Sequence, residues 1–231
     1  MKHLWITLLS ILIVLATPLA LSALSLRLTT SHWLIRWEYS RPDLPPDPYG
    51  LSTGQRLDMA GVCVDYLATG AGIRTLADLQ VDGRPAFHPR ELQHMWDVKR
   101  VFWWLLRGGM VAGLVMAVGT IILALRPATR KRAPAALLGG SALTIGLIVA
   151  VGVFMVSQWD SFFVSFHELF FPRGTWTFSY SDTLIRLFPV RFWMDVGTVI
   201  VGLLAFEAAL LGLVAVLWLR LQKRGAVGET V

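Results

Sequence analysis

The chain has 231 residues, 55% of them hydrophobic and 16% charged, with a formal net charge of +6. That composition excludes an ordinary soluble domain and places the chain in a membrane. Its basic excess gathers at the ends of apolar runs, where membrane orientation accounts for it, so it leaves no nucleic-acid footprint.

Four runs are apolar over about the 20 residues that a helix needs to cross a bilayer. They are Leu4 to Leu26, Val101 to Leu125, Ala133 to Val156 and Phe192 to Leu219. The first also resembles a secretory signal, with Lys2 and His3 before the apolar core and small residues near Ser22 and Ala23. It is longer than the roughly 7 to 15 residues of a signal core, which favours a retained helix, with cleavage as the alternative. Lys2, "RPATRKR" (Arg126 to Arg132) and "RLQKR" (Arg220 to Arg224) flank the runs with almost no acid among them. The positive-inside rule therefore puts both termini and the middle loop in the cytoplasm.

The expected order is a transmembrane helix over 1–26, an extracytoplasmic cap segment over 27–99 and a second transmembrane helix over 100–125. A cytoplasmic loop (126–132), a third helix (133–156), an extracytoplasmic loop (157–191), a fourth helix (192–219) and a cytoplasmic tail (220–231) follow. The fold class is a mainly α membrane protein, four transmembrane helices with a small mixed α/β extracytoplasmic cap.

Within the cap, "HWLIRWEY" (His32 to Tyr39) alternates roughly and reads as a strand. Four prolines between Pro42 and Pro48 make a loop. Ser52 and Gln55 resemble a capping box and open a helix to about Ala68, on which Cys63 reads as a small buried residue. As the chain's single cysteine, Cys63 excludes an intrachain disulfide. "LADLQVDGRPAF" holds a short element and an Asp-Gly turn. Pro89 suits the first turn of a helix that continues unbroken into the second span. At about 1.5 Å per residue, His94 then lies roughly 10 Å before the apolar run, near the outer headgroups, with Trp96, Trp103 and Trp104 as an aromatic belt. The aromatic-rich second outer segment brings His167 to the same level.

"HELFF" approaches the zinc-protease pattern HExxH, but the second histidine is replaced by Phe171, so a zinc site would have to recruit His94 or His88. No Gly-rich phosphate loop and no GxSxG elbow occurs. In "HMWD", His94 and Asp97 stand three residues apart, so the carboxylate can reach one imidazole nitrogen and fix which nitrogen faces a substrate. Partial desolvation and a neighbouring carboxylate would oppose each other and poise the pair near neutrality. Glu207, mid-span, is expensive if unpaired and pairs with Arg107 only across an estimated separation of about 10 Å. Lys99, Arg100, Arg173, Arg186 and Arg191 ring the outer interface, as headgroup or lipid-substrate contacts or as span anchors. Glu168 either orients a neighbour or faces water, with water favoured.

"RELQHMWDVK" (Arg90 to Lys99), "FFVSFHELFF" (Phe162 to Phe171), "GTWTF" (Gly174 to Phe178), "DTLIRLFP" (Asp182 to Pro189) and "FWMD" (Phe192 to Asp195) resemble the Lit family of lipoprotein intramolecular transacylases. The resemblance implies an acyltransferase of the outer leaflet of the bacterial cytoplasmic membrane. It would move the sn-2 acyl chain of a lipoprotein's S-diacylglyceryl group to the α-amino group of the amino-terminal cysteine, giving the lyso-form. It implies His94 and His167 as catalytic residues, with Asp97 as the acid of the first motif. Lys99, Arg173, Trp176 and Arg191 are the substrate-binding candidates. No cofactor and no metal is expected; the partners are a diacylated bacterial lipoprotein and membrane lipid, with no nucleic acid and the oligomeric state open. An intramolecular transfer needs no serine or cysteine from the protein, so orientation and proton transfer suffice. His167 is expected as the base and His94 as the group assisting oxyanion and leaving group, although the residues alone permit the reverse. Two other readings compete: a noncatalytic membrane protein such as a transporter subunit or lipid-binding partner, and a metal-dependent membrane hydrolase. Histidine rings more than about 12 Å apart, or facing separate surfaces, would exclude joint proton transfer and favour the first.

Overall fold

The computed structural model describes residues 2–228. Its elements are α1 (Lys2–Thr29), α2 (His32–Tyr39), α3 (Thr53–Ala68), α4 (Arg74–Ala77), β1 (Gln80–Val81), β2 (Arg84–Pro85), α5 (Pro89–Ala124), α6 (Arg132–Ser157), α7 (Trp159–Phe170), α8 (Thr183–Leu187) and α9 (Val190–Gly228). Helices α1, α5, α6 and α9 are long and apolar enough to cross a membrane. Helix α5 has 36 residues, which at about 1.5 Å each outruns a hydrocarbon layer of about 30 Å. Its surplus is the polar stretch from Arg90 to Arg100, which carries His94.

The chain divides into two compact units. The first comprises the residues up to Ser25, Leu105–Ser157 and those from Val201 on. Ile13, Leu123, Ala133, Ala136, Leu137 and Ala215 form its core. Two glycines set how near its helices come. A Cβ on Gly109 would stand 2.0 Å from that of Ala23, and one on Gly140 would stand 2.3 Å from Thr17 Oγ1. Small residues of this kind let apolar helices pack backbone to backbone where no water is present to drive them together. The mid-span Glu207 accepts a hydrogen bond from Ser25 Oγ at 3.0 Å. Among the described residues Glu207 makes no ion pair with Arg107, consistent with the separation estimated from the sequence.

The second unit comprises Leu26–Trp104 and Gln158–Ile200. Here the expected strand is corrected: "HWLIRWEY" is helix α2. Its buried residues are Leu34, Ile35, Glu38 and Tyr39, a helical face, while Trp33 and Trp37 point outward. The rough alternation of the sequence came from large aromatics on both faces of a short helix. Among the described residues, strand structure is confined to the ribbon β1–β2. Its turn is Asp82-Gly83, with φ of 52° and 74°, the doubly positive conformation that Asp-Gly supplies in two-residue hairpins.

Helix α3 opens with the full capping box of Ser52 and Gln55 and ends at Ala68, as its sequence predicts. Cys63 on it is 1% exposed, and burial pushes its thiol up to about 12, so it is an inert core residue. Cys63, Tyr66, Leu76, Phe87, Met95, Leu184 and Leu187 pack as one core. Met95 thereby fixes the rotation of α5 that presents its neighbour His94. Arg56 donates to Pro45 O at 2.8 Å and Arg186 pairs with Asp47 at 2.8 Å, which anchors the proline loop.

Candidate active site

His167 lies on α7. That helix falls within 157–191, which also holds α8, so about half of the expected outer loop is helical. Phe162, Phe163, Phe166 and Phe170 recur at helical spacing, and the imidazole joins their stripe. His167 Nδ1 is 2.8 Å from Phe163 O, one turn back. A carbonyl only accepts, so in the neutral ring the proton sits on Nδ1 and the lone pair is left on Nε2. Phe163 lies 4.1 Å from the ring centroid, Phe166 5.6 Å, Phe171 5.9 Å and Trp176 4.8 Å, the last stacked at 30°. Burial pushes the His167 pKa below its ordinary value, and the Phe163 carbonyl, by favouring the charged ring, offsets only part of that.

His94 projects from α5 into the same aromatic box. Phe171 and Phe178 meet its ring edge-on at 5.0 and 5.3 Å, and the two imidazole centroids are 6.4 Å apart at 23°. An atom hydrogen-bonded to one ring at about 3 Å can therefore lie comparably near the other. The orienting role expected of Asp97 is not seen. Its carboxylate accepts from Gln93 Nε2 at 3.3 Å, and His94 Nδ1 is buried without a hydrogen-bond partner. Both Gln93 and His94 lie on the turn preceding Asp97, and the more exposed amide takes the carboxylate.

Of the four substrate-binding candidates, only Trp176 reaches the histidines. Lys99 Nζ donates to Ala71 O at 2.6 Å and lies 4.3 Å from the Tyr66 ring centroid. Arg173 pairs with Glu168 at 2.9 Å, so Glu168 meets a cation instead of water alone. Arg191 pairs with Asp195 at 2.7 Å and with Asp43 at 2.9 Å. The sequence reading passed over Glu38. This fully buried carboxyl has no donor on either oxygen. Burial, then the Asp195 carboxylate, push its pKa up to about 7 against the pull of Arg41. The signal was present, an acid in helical register with Leu34 and Ile35, but it was hidden by the strand reading.

Among the described residues, one group has metal-ligand chemistry: atoms of His88, Glu91 and Asp182 lie within 4.8 Å of one another. Its carboxylates are already engaged. Glu91 accepts from Leu184 N at 2.8 Å and His88 N at 2.7 Å, and Asp182 from Ser179 N at 2.7 Å and from Arg90. A guanidinium inside the group supplies the positive charge an ion would bring, which favours a structural role.

The family model for Lit, the lipoprotein intramolecular transacylase, matches residues 10–193. The chain belongs to the Lit family. A protein of Aquifex aeolicus (strain VF5), itself uncharacterised, is 30% identical over 200 residues, covering 86% of this chain and 88% of that one. Among solved structures, the in meso structure of membrane-integral Lit from Bacillus cereus matches with a TM-score of 0.80 at 19% identity, covering 97% of this chain and 100% of that one. A histidine-to-arginine variant of the B. cereus protein matches at 0.76 and 18% identity, over 97% and 96% of the two chains. At that identity the structures speak for the fold, and the family match carries the activity. Lit-family membership makes the chain a membrane-integral acyltransferase that acts on lipoproteins, and it removes the noncatalytic and hydrolase readings.

Proposed function

We propose that this Lit-family chain carries out its acyl transfer with His167 as general base and His94 as the assisting group. The acyl chain moves from the sn-2 position of the S-diacylglyceryl group to the α-amino group of the same lipoprotein's amino-terminal cysteine. The observation that carries this reading is the His167 tautomer. With Nδ1 held by Phe163 O, the basic nitrogen Nε2 is the one left for a substrate, and a desolvated neutral ring is ready to take a proton.

The α-amine attacks the sn-2 ester carbonyl while Nε2 removes its proton. The resulting imidazolium keeps donating from Nδ1 to Phe163 O, which stabilises the charge it has gained. The tetrahedral intermediate collapses, the carbon–oxygen bond to the glyceryl group breaks, and the leaving alkoxide takes a proton from the imidazolium or from the His94 side. Nucleophile and ester belong to one molecule, so effective concentration replaces an enzyme nucleophile. Asp97, held by Gln93, acts at most through its distant charge.

The substrate reaches this site from the outer leaflet in our reading. Support comes from the basic segments at 126–132 and 220–224, which orient the termini inward, and from the position of His94 ahead of the apolar run of α5. Expression in a bacterium whose lipoproteins are diacylated, followed by mass spectrometry of their amino termini, is the test. N-acylation with loss of one glyceryl ester is expected. Alanine variants of His94 and His167 should abolish it, and full lyso-form production by both would remove the proposal.

A further inference from the structure

His167 explains the proton transfer, but the developing oxyanion needs a donor, and His94 is one of two polar groups in the box that have nothing to bind. The other is the indole of Trp176, whose Nε1 is buried without a hydrogen-bond partner. An indole N–H can only donate, and a buried N–H with no acceptor is rare in a folded protein because nothing replaces the water it lost. This chain satisfies other indoles: Trp33 Nε1 donates to Leu28 O at 2.9 Å and Trp103 Nε1 to Leu67 O at 3.1 Å. Those tryptophans are tied to backbone carbonyls, whereas Trp176 is left open beside the base.

Its placement is built by the chain. A turn from Pro172 to Thr175, closed by Thr175 N to Pro172 O at 3.2 Å, carries Gly174 at φ 81°, a conformation that favours glycine. The turn folds Trp176 back onto α7, where its ring stacks on His167 with centroids 4.8 Å apart. With the ring planes 30° apart, the indole and the imidazole belong to one stack. Phe163 closes on the same indole at 6.4 Å, keeping water away from it.

Building on the proposed transfer, we propose that Trp176 is a further catalytic residue, its indole N–H donating to the sn-2 carbonyl oxygen as that oxygen becomes the oxyanion. The bond strengthens as charge develops and weakens when the new amide carbonyl forms. No proton is transferred, so the atom balance of the reaction is unchanged.

Trp176→Phe keeps a stacking ring and removes the N–H. Loss of one oxyanion donor lowers kcat by about 10²- to 10³-fold, and that loss with KM nearly unchanged is the expected result. Replacement of Trp176 by its benzothienyl analogue, which keeps the indole's shape and has sulfur in place of N–H, should give the same loss in a protein that melts as wild type does. Transfer within about threefold of wild type in the benzothienyl protein would overturn the role. So would a change confined to KM, which would make Trp176 only a wall of the binding site. His167→Ala is measured alongside: if it transfers at full rate the base assignment fails, whereas a rate lost in His167→Ala but kept in the benzothienyl protein removes only the Trp176 donor.

Discussion

Glu91 and His94 stand one turn apart at the start of α5 and lead opposite lives. Glu91 is fully buried, and its two oxygens take the backbone N–H groups of Leu184 and His88. His94 is in an aromatic box with Nδ1 unpartnered, near a second histidine and an indole N–H that is also unpartnered. The carboxylate closes the fold by consuming donors that would otherwise be stranded. His94 is held by ring packing, and His167 by ring packing plus one bond from Nδ1 to Phe163 O, which leaves Nε2 uncommitted. Glu91 is thus satisfied by the chain, whereas His94 Nδ1 and the Trp176 indole N–H stay unpartnered and, in the transfer we propose, meet the substrate.

Five experiments press on that contrast. The largest effect is expected on rate: His167→Ala should lower lyso-form production by about 10²- to 10⁴-fold while leaving the melting temperature close to wild type. A large fall in stability would move His167 to the structural side. Next, Glu91→Ala should behave in reverse, stranding two backbone N–H groups at about 1–3 kcal/mol each and lowering the melting temperature, with residual transfer per folded molecule preserved. Thermal unfolding in detergent alongside single-turnover rates separates the two.

A third test concerns Glu38, a buried carboxyl set against the Asp195 carboxylate. Its folded pKa of about 7 is above the ordinary glutamate value, so its contribution to stability is fully present below about pH 4.5 and is lost as pH rises through 7. Glu38→Gln should flatten that slope and stabilise the protein above pH 7; an unchanged stability profile would count against the buried acid. The lowered pKa of His167 predicts a related feature of the rate. The acid limb should follow the substrate amine, whose pKa is about 7.7–8.0, with no second limb near pH 6.5. The smallest effect belongs to Asp97→Asn, expected to change transfer by less than about threefold, since its contact is with Gln93 and a neutral amide there costs only a surface-type interaction. A loss as large as that of His167→Ala would restore Asp97 to the site.

Much of this was legible in the sequence where the signal is local. The Ser52–Gln55 box, the Pro89 start of α5 and the Asp-Gly turn are each decided by residues within a turn of one another, and all appear as read. Helix rise and hydropathy raised the expectation that His94 and His167 share a level, and their rings stand 6.4 Å apart. What they touch did not follow from either. Asp97 lies on the same face as both Gln93 and His94, and spacing alone cannot say which it takes. Trp176 meets His167 only because Gly174 turns the chain. The short α2 was misread because Trp33 and Trp37 face outward, mimicking a strand's alternation, and that misreading concealed Glu38.

The bond from His167 Nδ1 to Phe163 O joins two residues of the same 12-residue helix. The proton's place on the ring is therefore a property of α7 itself and owes nothing to α5 or to any loop. A tilt of α7, opening the aromatic box wide enough for a two-tailed lipid, would carry ring, proton and lone pair as one piece. The base we propose would keep its tautomer through any such movement.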